Sequence, residues 1–312
     1  LELGENRLAG QEFGSVVELY RELDMPAQEA LHLASLASVH LRAGKLEQAA
    51  SYPAASAAKF GEIDVPAIAV VAQVVGLEIS RHLGKFAEAL EEVERTIAQA
   101  DHVGRLDAKA AALCQHAMIL LHTGRLAEAQ QKAQAAHESG GHVSDRGLEA
   151  ELLNVLGYVD VGLGRYEPAV GNFLTALAVA REPGIRYTEI DAGIGMAIAY
   201  RRLGRLDAAL SYGRGALDAA VEVGYRLFEG RARFALADIL QAAGDPAAKD
   251  QARQALKIHR DCGFRLGEAQ TLALLGQLST GTQARQYRLA AIKLFADLGT
   301  PEAAELRALT AR

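Results

Sequence analysis

The stretch Leu163-Gly164-Arg165-Tyr166-Glu167-Pro168-Ala169 decides the reading of this chain, because its pattern of Gly, base, apolar residue, acid and Ala recurs at a fixed interval on both sides. Upstream it reads Ala43-Gly44-Lys45-Leu46-Glu47-Gln48-Ala49, Leu83-Gly84-Lys85-Phe86-Ala87-Glu88-Ala89 and Thr123-Gly124-Arg125-Leu126-Ala127-Glu128-Ala129. Downstream it reads Leu203-Gly204-Arg205-Leu206-Asp207-Ala208-Ala209, then a damaged copy at Ala243-Gly244-Asp245-Pro246. Gly4 continues the series toward the N-terminus, so seven glycines stand forty residues apart. With 30 glycines in 312 residues, six further hits have chance odds of roughly one in a million, so the chain is a tandem repeat.

Each motif reads as a helical hairpin. From Pro26 to Ala43 the apolar set Leu31, Leu33, Leu36, Val39 and Leu41 fits a helix and not a strict alternation. Gly44 follows as the left-handed residue that lets the chain reverse, where any side chain costs about 1–2 kcal/mol. The next residue is basic in five copies, and an acid follows two or three positions later. That order complements the dipoles of the helix that ends and the helix that begins. The closing Ala (Ala49, Ala89, Ala129, Ala169, Ala209) marks the closest approach of the two helices.

A second punctuation point falls between the motifs, at Val103-Gly104-Arg105, Pro183-Gly184-Ile185-Arg186, Val223-Gly224-Tyr225-Arg226 and Cys262-Gly263-Phe264-Arg265. Asp24-Met25-Pro26 and Asp64-Val65-Pro66 mark the same boundary, with Pro at a helix start. Ala248 takes the closing-Ala place in the damaged copy. Thr300-Pro301-Glu302 predicts an N-capped last helix, whose Glu302, Glu305 and Arg307 suit a solvent-facing cap.

Composition agrees with an array of this kind. Half the residues are hydrophobic, aromatics are only 5% and Trp is absent, so the core is built from Ala, Leu and Val. The net charge of −6 argues against a body that coats nucleic acid. Cys114 and Cys262 match no disulfide framework or metal spacing and read as small buried hydrophobes. No apolar run reaches a membrane span and no leader opens the chain, so a cytoplasmic protein is expected. The start at Leu1, inside a repeat and without Met, suggests a piece of a longer polypeptide.

Leu156-Gly157, Gly164, Tyr166 and Ala169 resemble the tetratricopeptide repeat, as do Ala197, Tyr200, Gly204 and Ala209, and Ala37, His40, Gly44 and Ala49. The period of forty exceeds the thirty-four usual for that family, and the family's Trp is absent. HEAT and armadillo repeats share the longer period, but the Gly-basic-apolar-acid-Ala sentence favours the tetratricopeptide. The resemblance implies an all-α fold: a right-handed α–α superhelix of about seven two-helix repeats with a C-terminal capping helix. The expected single domain spans 1–312, with a half repeat over 1–25, repeats over 26–299 and a cap over 300–312.

A narrower resemblance lies in the last third. Residues Ala252-Arg253-Gln254-Ala255-Leu256-Lys257-Ile258-His259-Arg260, Gly267-Glu268-Ala269, Ala291-Ile292-Lys293-Leu294-Phe295 and Leu298-Gly299-Thr300-Pro301-Glu302-Ala303 look like the C-terminal repeats of bacterial STAND-type regulators such as the SARP-type activators. In that family a DNA-binding domain and an ATPase precede the repeats, which act as sensor arm and autoinhibitory surface. Neither a phosphate-cradling loop nor a helix-turn-helix occurs in this chain. The implied function is a non-enzymatic regulatory arm that binds a protein, a peptide, its own ATPase or DNA-binding domains, or a small effector. No cofactor, metal, direct nucleic-acid contact or membrane contact is expected.

The candidate binding residues follow from the forty-residue ruler. The concave wall of such a solenoid is the usual docking surface. Two positions before each Gly the column holds Arg42, His82, His122 and Arg202, and one position earlier it holds Arg81 and Arg201. Together they predict a broken basic ladder for carboxylates of a partner. Higher on the wall stand Asn154, Tyr158, Asp191, Arg231 and Asp238. Catalysis finds no support: no His-Glu-x-x-His helix or nucleophile elbow occurs, and Cys114 and His116 point apart on one helix. His137, His142 and Asp145 surround a Gly-Gly stretch that reads as a solvated loop.

Overall fold

The computed structural model describes residues 3–141, 143–181 and 185–310. In chain order its helices are α1 (Leu3–Glu22), α2 (Pro26–Arg42), α3 (Leu46–Ala49), α4 (Tyr52–Glu62), α5 (Pro66–His82), α6 (Phe86–His102), α7 (Leu106–His122), α8 (Leu126–Gly140), α9 (Arg146–Gly162), α10 (Tyr166–Arg181), α11 (Arg186–Arg202), α12 (Leu206–Glu222), α13 (Arg226–Ala242), α14 (Ala248–Cys262), α15 (Arg265–Gln277), α16 (Gly281–Leu298) and α17 (Glu302–Thr310). There is no strand among the described residues. The fold is an α-solenoid of tetratricopeptide type.

Consecutive helices pack as antiparallel hairpins, and α2, α5, α7, α9, α11, α13 and α15 also pack on one another as an inner row. The two rows bury their residues differently. Outer helix α6 hides a single stripe, Phe86, Ala89, Val93, Thr96 and Ala100, at alternating spacings of three and four. Inner helix α7 hides every residue from Ala112 to Leu120, because neighbours enclose it on several sides.

Turn chemistry matches the sequence. Gly44, Gly84, Gly124, Gly164, Gly204 and Gly244 all adopt φ between 71° and 77°. In the structure Asp24 and Asp64 take the place of a second-type Gly at φ 55° and 56°. The closing alanines are fully or almost fully buried, as is Ala248. Gly157 of the tetratricopeptide signature has a packing reason: a Cβ there would meet the buried Phe173 ring at 2.7 Å. Gly195 makes room for the same ring from α11.

Three expectations change. Gly4 lies within α1 and not in a hairpin turn. The outer helix that follows α2 is broken into α3 and α4, because Pro53 has no N–H to continue the ladder and Ser51 turns the chain just before it. Thr300 does not cap α17; its hydroxyl is buried and has no partner. Gly184 and His142 lie outside the described residues.

The periodicity did not announce that the solenoid closes on itself. A Cβ on Gly44 would lie 2.5 Å from Sγ of Cys262 at the end of α14, and one on Gly84 would strike Leu298 at the end of α16. Gly124 faces Pro301 in the same way. The same main core joins Leu41, Leu77 and Leu83 to Ile258, Cys262, Phe264 and Leu298. Early hairpin turns therefore seat on the last helices, and the inner row surrounds a lumen.

Candidate functional site

The lumen contains a cavity of about 740 Å³. Its apolar walls include Met118, Leu121, Val161, Ile194, Ile198 and Phe234. Eight of the sequence-predicted residues line it: Arg81, His82, His122, Tyr158, Arg201, Arg202, Arg231 and Asp238. That size and mixture of apolar wall and few polar groups are those of a small-ligand or peptide site.

One hydrogen-bonded polar cluster of the cavity spans three inner helices. Arg231 on α13 places Nη1 2.8 Å from Oδ1 of Asp191 on α11. Its Nη2 donates to the Tyr158 hydroxyl of α9 at 2.9 Å. Tyr158 in turn donates to Asp191 Oδ1 at 2.7 Å. Burial works against the Arg231 charge, but Asp191 and Tyr158 outweigh it and hold the guanidinium fully charged. Burial pushes the Tyr158 phenol well up, so it stays protonated. On the next tier down, Arg201 pairs with Asp238 at 3.3 Å.

Another chain of bonds runs through α5, α7 and α9. Arg81 donates from Nε to Gln115 Oε1 at 2.9 Å, and Gln115 donates from Nε2 to Glu151 Oε1 at 3.2 Å. Burial, reinforced by the nearby charge of Glu78, pushes the Glu151 carboxyl up. Arg81 also meets Nε2 of His82 at 3.1 Å.

The basic ladder needs correction at its histidines. Burial, then the Arg81 charge, pushes His82 down to about 3. His122 is lowered well below its ordinary value, first by burial and then by Arg81, His82 and Arg231. Both rungs are neutral imidazoles at pH 7, and the ladder's charge rests on its arginines. Arg42 does not line the main cavity; its guanidinium stacks on Tyr187 at 4.2 Å, in a side pocket with Glu78 and His82. Asn154 is buried between repeats, where its Nδ2 donates to the Thr188 carbonyl at 3.0 Å. Asp191 acts through Arg231 and Tyr158 and is not among the lining residues.

Sequence reasoning missed Glu151, although it stands forty residues before Asp191 in the column that continues to Arg231. The solvent-facing cap holds for Glu305 and Arg307, which are exposed, while one edge of α17 also lines the end of the cavity. There Glu302 is half-buried, and its Oε2 is buried with no hydrogen-bond partner. Asp145 caps α9 by accepting from the backbone N–H groups of Gly147 and Leu148 at 2.8 and 3.1 Å. The buried pair His259 and Thr271, 3.1 Å apart, is not a catalytic dyad, because the Thr271 hydroxyl donates to the Gly267 carbonyl. Burial raises the Cys114 thiol well above its ordinary value, which keeps it inert. Among the described residues no group of His, Cys, Asp and Glu is arranged to hold a metal ion, and no helix is long and apolar enough to cross a membrane.

No family model matches the chain, and no curated protein matches it. Solved structures share its fold. A Rap protein complexed with competence and sporulation factor aligns with a TM-score of 0.69 at 14% identity, over 96% of this chain and 87% of that one. The apo form of RapI gives 0.61 at 14% identity, over 83% and 98%. A signal transduction ATPase with numerous domains (STAND) from Pyrococcus horikoshii, which carries a tetratricopeptide repeat sensor, gives 0.54 at 14% identity. That match covers 93% of this chain, and the chain spans 47% of that protein.

Proposed function

We propose that this chain is a non-enzymatic binding module that takes a peptide, a protein segment or a small effector in its lumen. The observation that carries this reading is the half-open cavity of about 740 Å³, with apolar walls and a hydrogen-bonded Arg231, Tyr158 and Asp191 cluster at its wall. Apolar surface supplies affinity, and a few fixed polar groups supply orientation.

In its biological setting the module serves as the C-terminal regulatory arm of a cytoplasmic STAND-type transcriptional regulator. The last-third sequence resemblance and the fold shared with a STAND sensor support this setting. A second reading, a stand-alone adaptor or peptide receptor without an ATPase, draws on the closer and more complete alignment with the Rap protein.

Selection of a random heptapeptide display library on the immobilised chain tests the binding reading. Enriched peptides that bind in solution support it; a library that yields no binder above background overturns it. The reading frame that encodes these residues separates the two settings. A nucleotide-binding loop upstream of the repeats supports the regulator, and a frame without one supports the adaptor. Turnover of nucleotides, esters or peptides by the purified chain would overturn the non-enzymatic reading.

A further inference from the structure

Four guanidinium groups line the cavity, and they are not equivalent. Arg231 and Arg201 each have a carboxylate partner. Arg202 is exposed at the cavity's edge. Arg81 lines the lumen and is half-buried, yet it has no carboxylate within ion-pair distance among the described residues; it donates to Gln115 and His82, which are uncharged acceptors.

The proton inventory around Arg81 is determinate. A guanidinium only donates, so Nε2 of His82 is the acceptor, and the neutral ring carries its proton on Nδ1. That Nδ1 is buried with no hydrogen-bond partner. Of the five N–H donors of Arg81, two are committed and three remain. A guanidinium with no carboxylate in direct contact keeps unspent donors, and a planar fork with free donors matches a carboxylate. The surroundings limit the charge it accepts. The carboxylates of Glu78 and Asp191 lie within electrostatic reach of Arg81, which disfavours a dianion such as a phosphate monoester. The adjoining wall, Met118, Leu121 and Phe264, is apolar.

We infer that Arg81 is the anchor for a single carboxylate on an otherwise apolar ligand in the lumen. The inference rests on the binding reading above and names the chemistry of the ligand. Two sources share that chemistry: the C-terminus of a short apolar peptide and an alkyl carboxylic acid.

Calorimetric titration of the full chain with two matched pairs of probes tests it. One pair is the N-acetylated pentapeptide Leu-Val-Leu-Ala-Leu as free acid and as C-terminal amide; the other is decanoic acid and decanamide below their aggregation limits. At least one acid is expected to bind about tenfold or more tightly than its amide. That preference disappears in Arg81→Gln, or in Arg81→Met if the first variant does not fold, and persists in Arg253→Gln, an exposed arginine on α14 outside the cavity. The pair that shows the preference identifies the source. Equal binding of acid and amide, or a preference that survives loss of Arg81, overturns the inference and leaves lumen binding intact. Absence of binding by all four probes up to about 1 mM overturns it and counts against the lumen reading as well.

Discussion

The Arg42 guanidinium sits 4.2 Å above the ring of Tyr187, so the first inner helix touches the fifth across the superhelix. A cation over an aromatic face contributes about 0.5–2 kcal/mol, more as water is excluded. Its position makes it a latch between distant repeats rather than a link within one. Arg42→Ala is expected to speed amide exchange in α2 and in the first turns of α11, with little change in α6 and α8. Exchange mass spectrometry reads this directly, and uniform or absent acceleration would refute the latch.

The hairpin glycines provide a comparison within one chain. Gly44, Gly84, Gly164 and Gly204 have φ of 74° or 75°, so an alanine at any of them costs about 1–2 kcal/mol in backbone strain. Gly164 and Gly204 have open space where a Cβ would go, whereas Gly44 faces Cys262 and Gly84 faces Leu298. Gly44→Ala and Gly84→Ala are therefore expected to cost about 1–3 kcal/mol more than the other two, as overpacking does. Urea denaturation midpoints of the four variants decide it. Equal midpoints would mean that the ends do not meet.

Asp24 and Asp64 hold left-handed φ of 55° and 56° at positions where glycine stands in later repeats. Replacement of either by Gly removes the Cβ strain and restores some unfolded-state entropy. The expected net gain is about 0.5–1 kcal/mol per site, seen as a rise in the thermal midpoint. A loss at both sites would show that the Asp side chains do more than occupy the turn.

The Arg231, Tyr158 and Asp191 cluster predicts coupling. Asp191→Ala leaves Arg231 facing the lumen without its counter-charge and is expected to cost about 2–3 kcal/mol, below the figure for a fully buried pair because both side chains keep some exposure. Arg231→Met added to Asp191→Ala is expected to recover much of that loss, since the stranded charge is gone. Strict additivity in the double-mutant cycle would remove the cluster as a unit.

Acid is expected to destabilise the chain. Burial is the leading cause that pushes His82 down to about 3 and His259 to about 4. Below about pH 6.5 the unfolded chain binds protons at these residues that the folded chain refuses, so stability falls as pH drops from 6.5 toward 4 and is fully present above 6.5. Each contributes a slope of at most about 1.4 kcal/mol per pH unit. Glu151 works the other way: its carboxyl is raised in the folded state, so it adds stability on acidification until the unfolded carboxyl also protonates near 4.5. Two histidines, joined by the lowered His122, outweigh one carboxyl. The thermal midpoint at pH 5 is expected below that at pH 7.5, and His259→Gln should shrink the difference. A midpoint independent of pH would contradict the buried neutral imidazoles.

Local features were legible in the sequence because they repeat. A left-handed turn needs Gly, a close helix pair needs Ala, and both recur every forty residues. The inner wall was legible to the same degree: counting from each Gly found the residues that line the cavity, and the same count would have found Glu151 beside Asp191 and Arg231. What periodicity does not carry is contact between non-neighbouring repeats. Closure of Gly44 on Cys262, the stacking of Arg42 on Tyr187 and the placement of Glu302 at the cavity's end depend on accumulated superhelical rotation, which no single motif encodes. Protonation was misread for a related reason. His82 and His122 look cationic in a column of bases, but burial beside arginines makes them neutral.

The central claim is that the lumen, and not an outer face, is the binding surface. Its most direct test is the affinity of the tightest library-selected heptapeptide for two tryptophan variants of the chain. Val161→Trp fills the cavity from its wall, and Leu174→Trp adds the same bulk at an exposed site on the outer helix α10. Lumen binding predicts a loss of about a hundredfold or more in the first and wild-type affinity in the second. Unchanged affinity in Val161→Trp, or a comparable loss in Leu174→Trp, would contradict it.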